Sequence, residues 1–238
     1  MAKRPHTDNS RPENRLLAAL PGKEFDHLTA HMDDVSLAAR DVLYRPNGPI
    51  RHVYFPRTAI ISMTLTMEDG GTVEVGTVGN DGMAGVPAFL GADKSPTEVF
   101  CQVAGEARRM PVAAFREAVR PDGPFRDLVQ RFTQVLLNQV SQTTACNRLH
   151  PIESRLARWL LMTHDRMGGD ELPLTQEFLS YMLGVQRPSV TIAAGVLQKA
   201  GLIRYTRGRI TVLDREGLEA AACECYRVVR DELDRLLP

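Results

Sequence analysis

The first half of the chain alternates short apolar runs with turn-forming residues. Between residues 35 and 111, segments rich in Val, Ile, Thr, Tyr and Phe are separated at close intervals by turn signals such as Pro46–Asn47–Gly48 and Asp69–Gly70–Gly71. This spacing is typical of many short strands joined by tight turns. The pattern therefore predicts a small antiparallel β-barrel or sandwich.

The segment before these strands divides into two parts. Residues 1–13 are polar and contain two prolines, which predicts a flexible tail. From residue 14 onward, apolar residues recur at intervals of three and four, which predicts short helices ahead of the first strand.

A long helix is predicted from Phe125 onward, where apolar positions step alternately by four and three residues. A near-3.5 period is what two long helices lying side by side require, so we expect this helix to join two subunits. The alternative is a helix that lies on its own barrel, with its apolar positions all buried in one core. The expected dimer-interface residues are Phe125, Val129, Phe132, Leu136, Gln139 and Thr143.

Two short helices and a hairpin follow a helix that starts after His150–Pro151. Thr175 can cap the first of the two, Gly184 supplies a tight turn, and Gly201 ends the second. Two short helices joined by a turn containing Gly form a helix-turn-helix. The strands on either side of Arg207–Gly208 are expected to form a wing, and Asp214 is expected to cap a last helix that runs to Leu237.

The second helix of this motif offers residues suited to duplex DNA. With Val190, Ala193 and Leu197 facing the core, its N-terminal end faces solvent, and this end enters the major groove in such motifs. Arg can bond guanine, Gln can pair with adenine, and a Thr methyl can touch thymine. Residues 172–210 contain five basic residues against one acidic residue, which suits contact with phosphates. The expected DNA-binding residues are Thr175, Gln176, Gln186, Arg187, Pro188, Ser189, Thr191, Arg204, Arg207 and Arg209.

Composition limits the remaining function classes. The 238 residues carry 29 basic and 29 acidic side chains, so any DNA-binding charge must be local. With four scattered cysteines, no apolar leader and no run long enough to span a bilayer, we expect a cytoplasmic protein without membrane association. No catalytic signature is recognisable, so we expect no enzymatic activity and no catalytic residues.

No metal site or cofactor is predicted. His27 and His31 have a chelating spacing but no evident third ligand. Cys223 and Cys225 fall two residues apart on the expected last helix, where side chains point about 200° from each other. They could not hold one ion unless that helix were broken.

The whole chain resembles the bacterial regulators typified by the cyclic AMP receptor protein and the fumarate-nitrate reduction regulator (the CRP/FNR family). The resemblance is carried by LTQEFLSYMLGVQRPSVT and LQKAGLIRYTRGRITVLD, behind the strand-rich region and the long helix. It implies an α+β fold with a cyclic-nucleotide-binding-like antiparallel β-barrel (a jelly roll), a dimerisation helix and a C-terminal winged helix-turn-helix. The expected parts are a sensor domain over residues 14–112, a linker and dimerisation helix over 113–149, and a DNA-binding domain over 150–238.

The same resemblance implies a homodimeric transcription regulator that binds double-stranded DNA and contacts RNA polymerase. Arg187 occupies the position of the family's guanine-reading arginine. Pro188 and Ile192 stand at two other base-reading positions, where they cannot make the family's charged contacts, so the target sequence should differ.

The sensor region departs from the cyclic-AMP-binding members. Lys94 is the only cation between Val75 and Ala107, and the arginine that would hold a cyclic phosphate is missing. No cysteine precedes Cys101, whereas an iron–sulfur cluster of the oxygen-sensing type needs a set of N-terminal thiolates. We therefore expect an effector that the sequence does not identify. The rival hypothesis is a non-catalytic scaffold whose barrel binds a small molecule and whose helical hairpin binds protein.

Overall fold

The computed structural model describes residues 14–120 and 122–237. The predicted flexible tail, residues 1–13, lies outside the described residues. The described chain begins with two short helices, α1 (Arg15–Ala18) and α2 (Gly22–Thr29). The Asn14 side chain caps α1 by accepting hydrogen bonds from the backbone N–H groups of Leu16 and Leu17.

Seven strands follow and form two antiparallel sheets, which agrees with the predicted strand-rich domain. One sheet has the order β1-β7-β3 and the other has the order β2-β6-β4-β5. The strands are β1 (Asp33–Leu37), β2 (Val42–Tyr44), β3 (His52–Pro56), β4 (Ile60–Thr66), β5 (Thr72–Val78), β6 (Glu98–Val103) and β7 (Gly105–Pro111).

The core of this β-domain receives alternate residues from both sheets. Val53 and Phe55 of β3 are fully buried, as are Ile61 of β4 and Cys101 of β6. Since side chains alternate across a strand, every second residue faces the space between the sheets. The short helix α3 (Val86–Phe89) lies between β5 and β6 along the chain and contributes Val86 and Ala88 to the same core.

Two helices then leave the β-domain, α4 (Val112–Ala118) and the 26-residue α5 (Pro124–Leu149). The stripe predicted to face a second subunit is instead turned inward: Phe125, Val129, Phe132, Gln139 and Thr143 are buried within the single chain, and Leu136 is half-buried. The alternative interpretation, a helix lying on its own barrel, describes this arrangement.

Glycines in the barrel explain why α5 lies this close. A Cβ atom on Gly82 would come 2.1 Å from the Phe132 ring, and a Cβ on Gly76 would come 3.2 Å from Gln139 Oε1. Gln139 Oε1 also accepts a 2.7 Å hydrogen bond from the backbone N–H of Thr77. The side-chain oxygen of Gln139, a polar residue in the C-terminal half of the stripe, is therefore satisfied by the barrel.

The C-terminal part has its own core. It contains α6 (Ile152–His164), α7 (Gln176–Leu183), α8 (Arg187–Lys199) and a three-stranded sheet in the order β8-β10-β9. Its strands are β8 (Glu171–Leu172), β9 (Ile203–Thr206) and β10 (Arg209–Val212). The two helices and the hairpin were predicted, whereas the pairing of β8 with β10 was not.

The prediction of one last helix from Asp214 to Leu237 is wrong. Asp214 does cap a helix, by accepting a 2.9 Å hydrogen bond from Gly217 N, but this helix, α9 (Arg215–Ala221), is short. Ala222 is extended, and α10 (Cys225–Leu236) starts after the break. The break allows α9 to pack on α6 and α10 to pack on α5, with Leu237 reaching the β-domain core.

Among the described residues, none of the helices combines the length and apolar character needed to cross a bilayer.

Candidate nucleic-acid interface

The helix-turn-helix is set by local signals. The Thr175 hydroxyl accepts a 3.1 Å hydrogen bond from Phe178 N and caps α7. Gly184 ends α7 with φ 61° and ψ 41°, the left-handed conformation that favours glycine. Val190, Ala193 and Leu197 are buried, as predicted, and fix the face that α8 turns to the core.

The N-terminal end of α8 is open to solvent. Gln186, Arg187 and Pro188 are exposed, and Ser189 is half-buried. The Thr191 hydroxyl donates a 2.8 Å hydrogen bond to Gln176 Oε1, which ties α8 to the start of α7. Both residues were predicted to bind DNA, and the structure brings them into contact with each other.

The wing is a tight hairpin. Arg209 pairs with Thr206, which leaves Arg207 and Gly208 as a two-residue loop with φ of 43° and 81°. Positive φ at both positions is the signature of a type I′ turn. Arg204, Arg207 and Arg209 are all exposed, and Arg209 lies 3.5 Å from the Glu171 carboxylate of β8.

The wing is held against α8 by Gln198. Its side-chain Oε1 accepts a 2.7 Å hydrogen bond from Tyr205 N. Gln198 lies on the exposed side of α8, and its carbonyl oxygen braces the hairpin. This hydrogen bond therefore helps to fix the position of the wing relative to α8.

Two apolar side chains complete the exposed face of α8. Ile192 is 66% exposed and Val196 is 50% exposed. With Pro188 they are spaced four residues apart, which places them on one face of the helix. Val196 was not among the predicted contact residues; its four-residue spacing from Ile192 was the available signal.

The β-domain and the C-terminal part meet through a chain of buried polar side chains. Trp159 of α6 contacts Glu74 of β5, Glu74 contacts Ser62 of β4, and Ser62 contacts Gln102 of β6. Burial raises the pKa of the Glu74 carboxyl to about 7, and hydrogen bonds with Ser62 and Trp159 oppose that rise. A protonated Glu74 is thus accessible near neutral pH.

A buried ion pair joins the same two parts. Arg166 Nη2 lies 2.5 Å from Asp81 Oδ2, and Arg166 Nε donates to Asp81 Oδ1 at 3.2 Å. A Cβ on the neighbouring Gly79 would come 2.8 Å from the Arg166 side chain, so the arginine passes close to the backbone there. Two-point pairing of this kind fixes orientation as well as distance.

The β4–β5 hairpin also approaches the helix-turn-helix. An open groove lies between them, and a Cβ on Gly184 would come 3.0 Å from Val73 Cγ2. The groove is lined by residues of both parts, including Met67, Thr72, Val73, Gly184 and Arg187. Movement of the hairpin would consequently change the surroundings of the N-terminal end of α8.

The part of the expected sensor domain between Val75 and Ala107 contains α3 and the loop that follows it. Lys94, its one cation, is exposed rather than directed into the core. The Phe132 ring of α5 packs directly against Gly82. Apolar side chains therefore occupy the space between this part of the barrel and α5.

Comparison with known families agrees with this architecture. Residues 34–122 match the model of the cyclic nucleotide-binding domain, and residues 154–221 match the model of the Crp-like helix-turn-helix domain.

Proteins of known type are similar to this chain over most of its length. The transcriptional regulator SdrP of Thermus thermophilus is 27% identical over 209 residues, covering 82% of this chain and 96% of its own. A crystal structure of a CRP/FNR-family transcriptional regulator from the same species superposes with a TM-score of 0.61 at 25% identity, covering 80% of this chain and 98% of that chain. FixK2 of Bradyrhizobium japonicum shares the fold at 15% identity, with a TM-score of 0.69 and coverage of 81% and 98%.

The order of parts, the two family matches and the exposed recognition helix lead to one assignment. This chain is a transcriptional regulator of the CRP/FNR family with a helix-turn-helix DNA-binding domain.

Proposed function

We propose that the protein acts in the cytoplasm as a homodimer that reads a specific DNA sequence, with its N-terminal domain responding to a small-molecule signal still to be identified. The observation that carries this proposal is the solvent-exposed N-terminus of α8, with Arg187 at its first position, beside a wing that exposes three arginines. Recognition helices of this class insert that end into the major groove.

Base reading falls to the exposed face of α8. The Arg187 guanidinium can donate two hydrogen bonds to guanine O6 and N7, and Gln186 can pair with the edge of adenine. Ile192 and Val196 offer apolar surface suited to a thymine methyl group. The preferred site should therefore contain both guanine and thymine in each half.

Phosphate contacts fall to the wing and to the start of α7. Arg204, Arg207 and Arg209 are exposed along the hairpin, and Thr175 lies close to its tip, since a Cβ on Gly208 would lie 3.4 Å from the Thr175 methyl group. Contacts of this type position the protein and are independent of sequence.

We place the dimer interface on the outer face of α5. The stripe that was first expected to form the interface is covered by the barrel, whereas a second stripe with the same alternating four and three spacing is exposed. Its central apolar member, Leu137, is 55% exposed. This stripe consists of Gln130, Gln134, Leu137, Ser141, Thr144 and Arg148.

Signal transfer would pass through the junction between the two parts. Glu74, Asp81 and Gln102 of the β-domain each contact α6 or the residues that follow it. A ligand that shifts β5 or α5 would alter these contacts and re-aim α8. RNA polymerase is the further partner that we propose, because the chain is a transcriptional regulator.

Selection of bound fragments from random duplex DNA tests the proposal, with and without candidate small-molecule effectors. We expect a two-fold-related sequence to be enriched, and log affinity to fall linearly with log salt concentration. Enrichment of no sequence in any condition would contradict sequence-specific reading and favour the rival role as a protein-binding scaffold.

A further inference from the structure

Three cysteines and one histidine converge where α5 meets the C-terminal helices. The Sγ atoms of Cys146, Cys223 and Cys225 and a ring nitrogen of His150 all lie within 4.8 Å of one another. Cys146 Sγ is 3.5 Å from Cys223 Sγ, and Cys225 Sγ is 3.4 Å from His150 Nδ1. The three thiols are buried, and His150 is half-buried at the edge.

The local backbone explains how these side chains meet. Cys146 and His150 are four residues apart at the end of α5, so they lie one above the other on the same side of the helix. Cys223 lies in the break between α9 and α10, and Cys225 is the first residue of α10. Because the chain is not helical at residues 222–224, both thiols can turn inward, which one continuous helix would forbid.

We propose that these four residues bind one divalent metal ion of the zinc type in a closed, tetrahedral site. Zinc prefers thiolate and imidazole ligands, and a tetrahedral ion about 2.3 Å from its sulfur ligands holds those atoms about 3.8 Å apart. The two distances above are close to that separation. Four protein ligands leave no open coordination position, so the site is structural rather than catalytic.

The surroundings of the cluster fit a bound ion. His150 Nε2 lies 3.3 Å from Glu224 Oε2, so the carboxylate can hold the ring with Nδ1 unprotonated and facing the thiols. Gln142 Nε2 lies 3.2 Å from Cys225 Sγ and donates to it. Both contacts orient a ligand through its second partner, as outer-shell residues of metal sites do.

Two buried arginines balance the charge of three thiolates around a divalent ion. Arg155 Nη2 donates to Asn147 Oδ1 at 2.9 Å, and Arg158 Nη2 approaches Thr143 Oγ1 at 3.5 Å, so both guanidinium groups lie beside the α5 turn that carries Cys146. The Nε atoms of both arginines lack a hydrogen-bond partner among the described residues. A net negative site next to them would compensate these buried positive charges.

The four ligands lie outside the two segments that the family models match, residues 34–122 and 154–221. The ion would join the end of α5 to the α9–α10 break. From there α10 runs back along α5, and Arg15 bonds the carbonyl oxygen of Leu237 at 3.0 Å. The bound ion would thus fasten the DNA-binding part to the sensor part.

Cobalt substitution of the full-length protein tests this site. Metal-free reduced protein is titrated with Co²⁺ alone, and we expect one ion per chain with visible bands of tetrahedral cobalt and near-ultraviolet thiolate-to-cobalt charge-transfer bands. Coordination breaks the three thiol S–H bonds and releases their protons to the buffer, so apparent affinity should fall as the pH is lowered. Zn²⁺ should displace the cobalt and bleach these bands.

Single-residue variants identify the side chains that bind the metal ion. Cys223→Ser and His150→Ala should lose the charge-transfer signature or change it to that of fewer ligands, and Glu224→Ala should weaken affinity by roughly tenfold or more. Cys101→Ser, which removes a buried thiol in β6 away from the cluster, should bind like the unchanged protein. Circular dichroism verifies that each variant is folded.

Three results on the unchanged protein and one on a variant would overturn the proposal. Absence of stoichiometric Co²⁺ or Zn²⁺ uptake under reducing conditions would do so, as would isolation with iron and acid-labile sulfide in place of a single ion. A Cys146–Cys223 disulfide found by peptide mass spectrometry in protein kept reduced throughout would show a redox pair instead. Equal uptake by folded Cys223→Ser would likewise exclude this ligand set.

Discussion

Trp159 of α6 donates its indole N–H to the buried carboxyl group of Glu74 on β5, with 2.6 Å between the two heavy atoms. Ser62 Oγ lies 2.6 Å from both Glu74 Oε1 and Gln102 Oε1, although a hydroxyl has only one proton to donate. A protonated Glu74 that donates to Ser62 lets Ser62 donate to Gln102. Gln102 Nε2 in turn approaches Thr163 Oγ1 at 3.5 Å, one helical turn beyond Trp159.

The first prediction concerns the pH dependence of stability. The folded-state pKa of Glu74, about 7, lies above the unfolded value of about 4.3, so the folded state binds the extra proton between these values. The Glu74 contribution to the free energy of unfolding should be fully present below about pH 4 and fall by roughly 4 kcal/mol as pH rises through 7. Glu74→Gln should remove this slope in denaturant unfolding measured from pH 5 to 8, whereas the exposed-site variant Glu68→Gln should retain it. An unchanged slope in Glu74→Gln would contradict the assignment.

The second prediction concerns the packing of α5 against the barrel. Gly82→Ala should place a methyl group against the Phe132 ring and lower the free energy of unfolding by about 1–3 kcal/mol. Phe132→Leu combined with Gly82→Ala should cost less than the sum of the two single changes, because each relieves the other. Gly195→Ala, at an exposed α8 position with open space, should stabilise by roughly 0.5–1 kcal/mol. Additive costs for the Gly82 and Phe132 changes would mean that the two residues are not in contact.

An element of this fold can be predicted from the sequence when the residues that determine it lie close together along the chain. The helix-turn-helix could be predicted because Gly184, Gly201 and the buried Val190, Ala193 and Leu197 act within a few residues of one another. The strands could be predicted for the same reason, since turn residues separate them.

The orientation of α5 could not be predicted, because a periodic apolar stripe predicts that one face of the helix is buried but not which surface covers that face. Phe132 and Leu136 would show the same spacing whether a barrel or a second subunit covered them. The closely fitting glycines, Gly76 and Gly82, are 50 or more residues away in sequence from the α5 residues that they contact, and they give no local sign of this packing.

The cysteine cluster could not be predicted from the sequence, because it depends on a break between α9 and α10 at which no helix-breaking residue stands. Residues 220–225 contain no Gly or Pro, so local propensity favours a continuous helix. Tertiary packing overrides it, with Leu218 buried against the C-terminal core and Cys225 buried near α5.

The third prediction concerns the dimer. Leu137→Asp should place a charge in the proposed interface on the outer face of α5 and yield monomers in sedimentation equilibrium, with a circular dichroism spectrum like that of the unchanged protein. Leu90→Asp changes a comparably exposed leucine at the end of α3 and should leave the mass unchanged. A dimer mass for Leu137→Asp would reject this interface.

The fourth prediction concerns the wing. Arg207→Ala should weaken binding to all duplexes alike and reduce the slope of log affinity against log salt concentration by about 1. Arg235→Ala removes an exposed arginine of α10, outside the wing, and should leave the slope unchanged. Titrations by fluorescence anisotropy over a series of salt concentrations measure both slopes. Loss confined to one sequence would show that Arg207 reads bases rather than phosphates.

The most direct test of DNA reading compares Arg187→Ala with the unchanged protein on the selected duplex and on an unrelated duplex at the same salt concentration. If Arg187 reads guanine, affinity for the selected duplex should fall by roughly 1–3 kcal/mol, while affinity for the unrelated duplex should change little. Equal losses on both duplexes, or no loss on either, would contradict the claim that the exposed tip of α8 recognises DNA sequence.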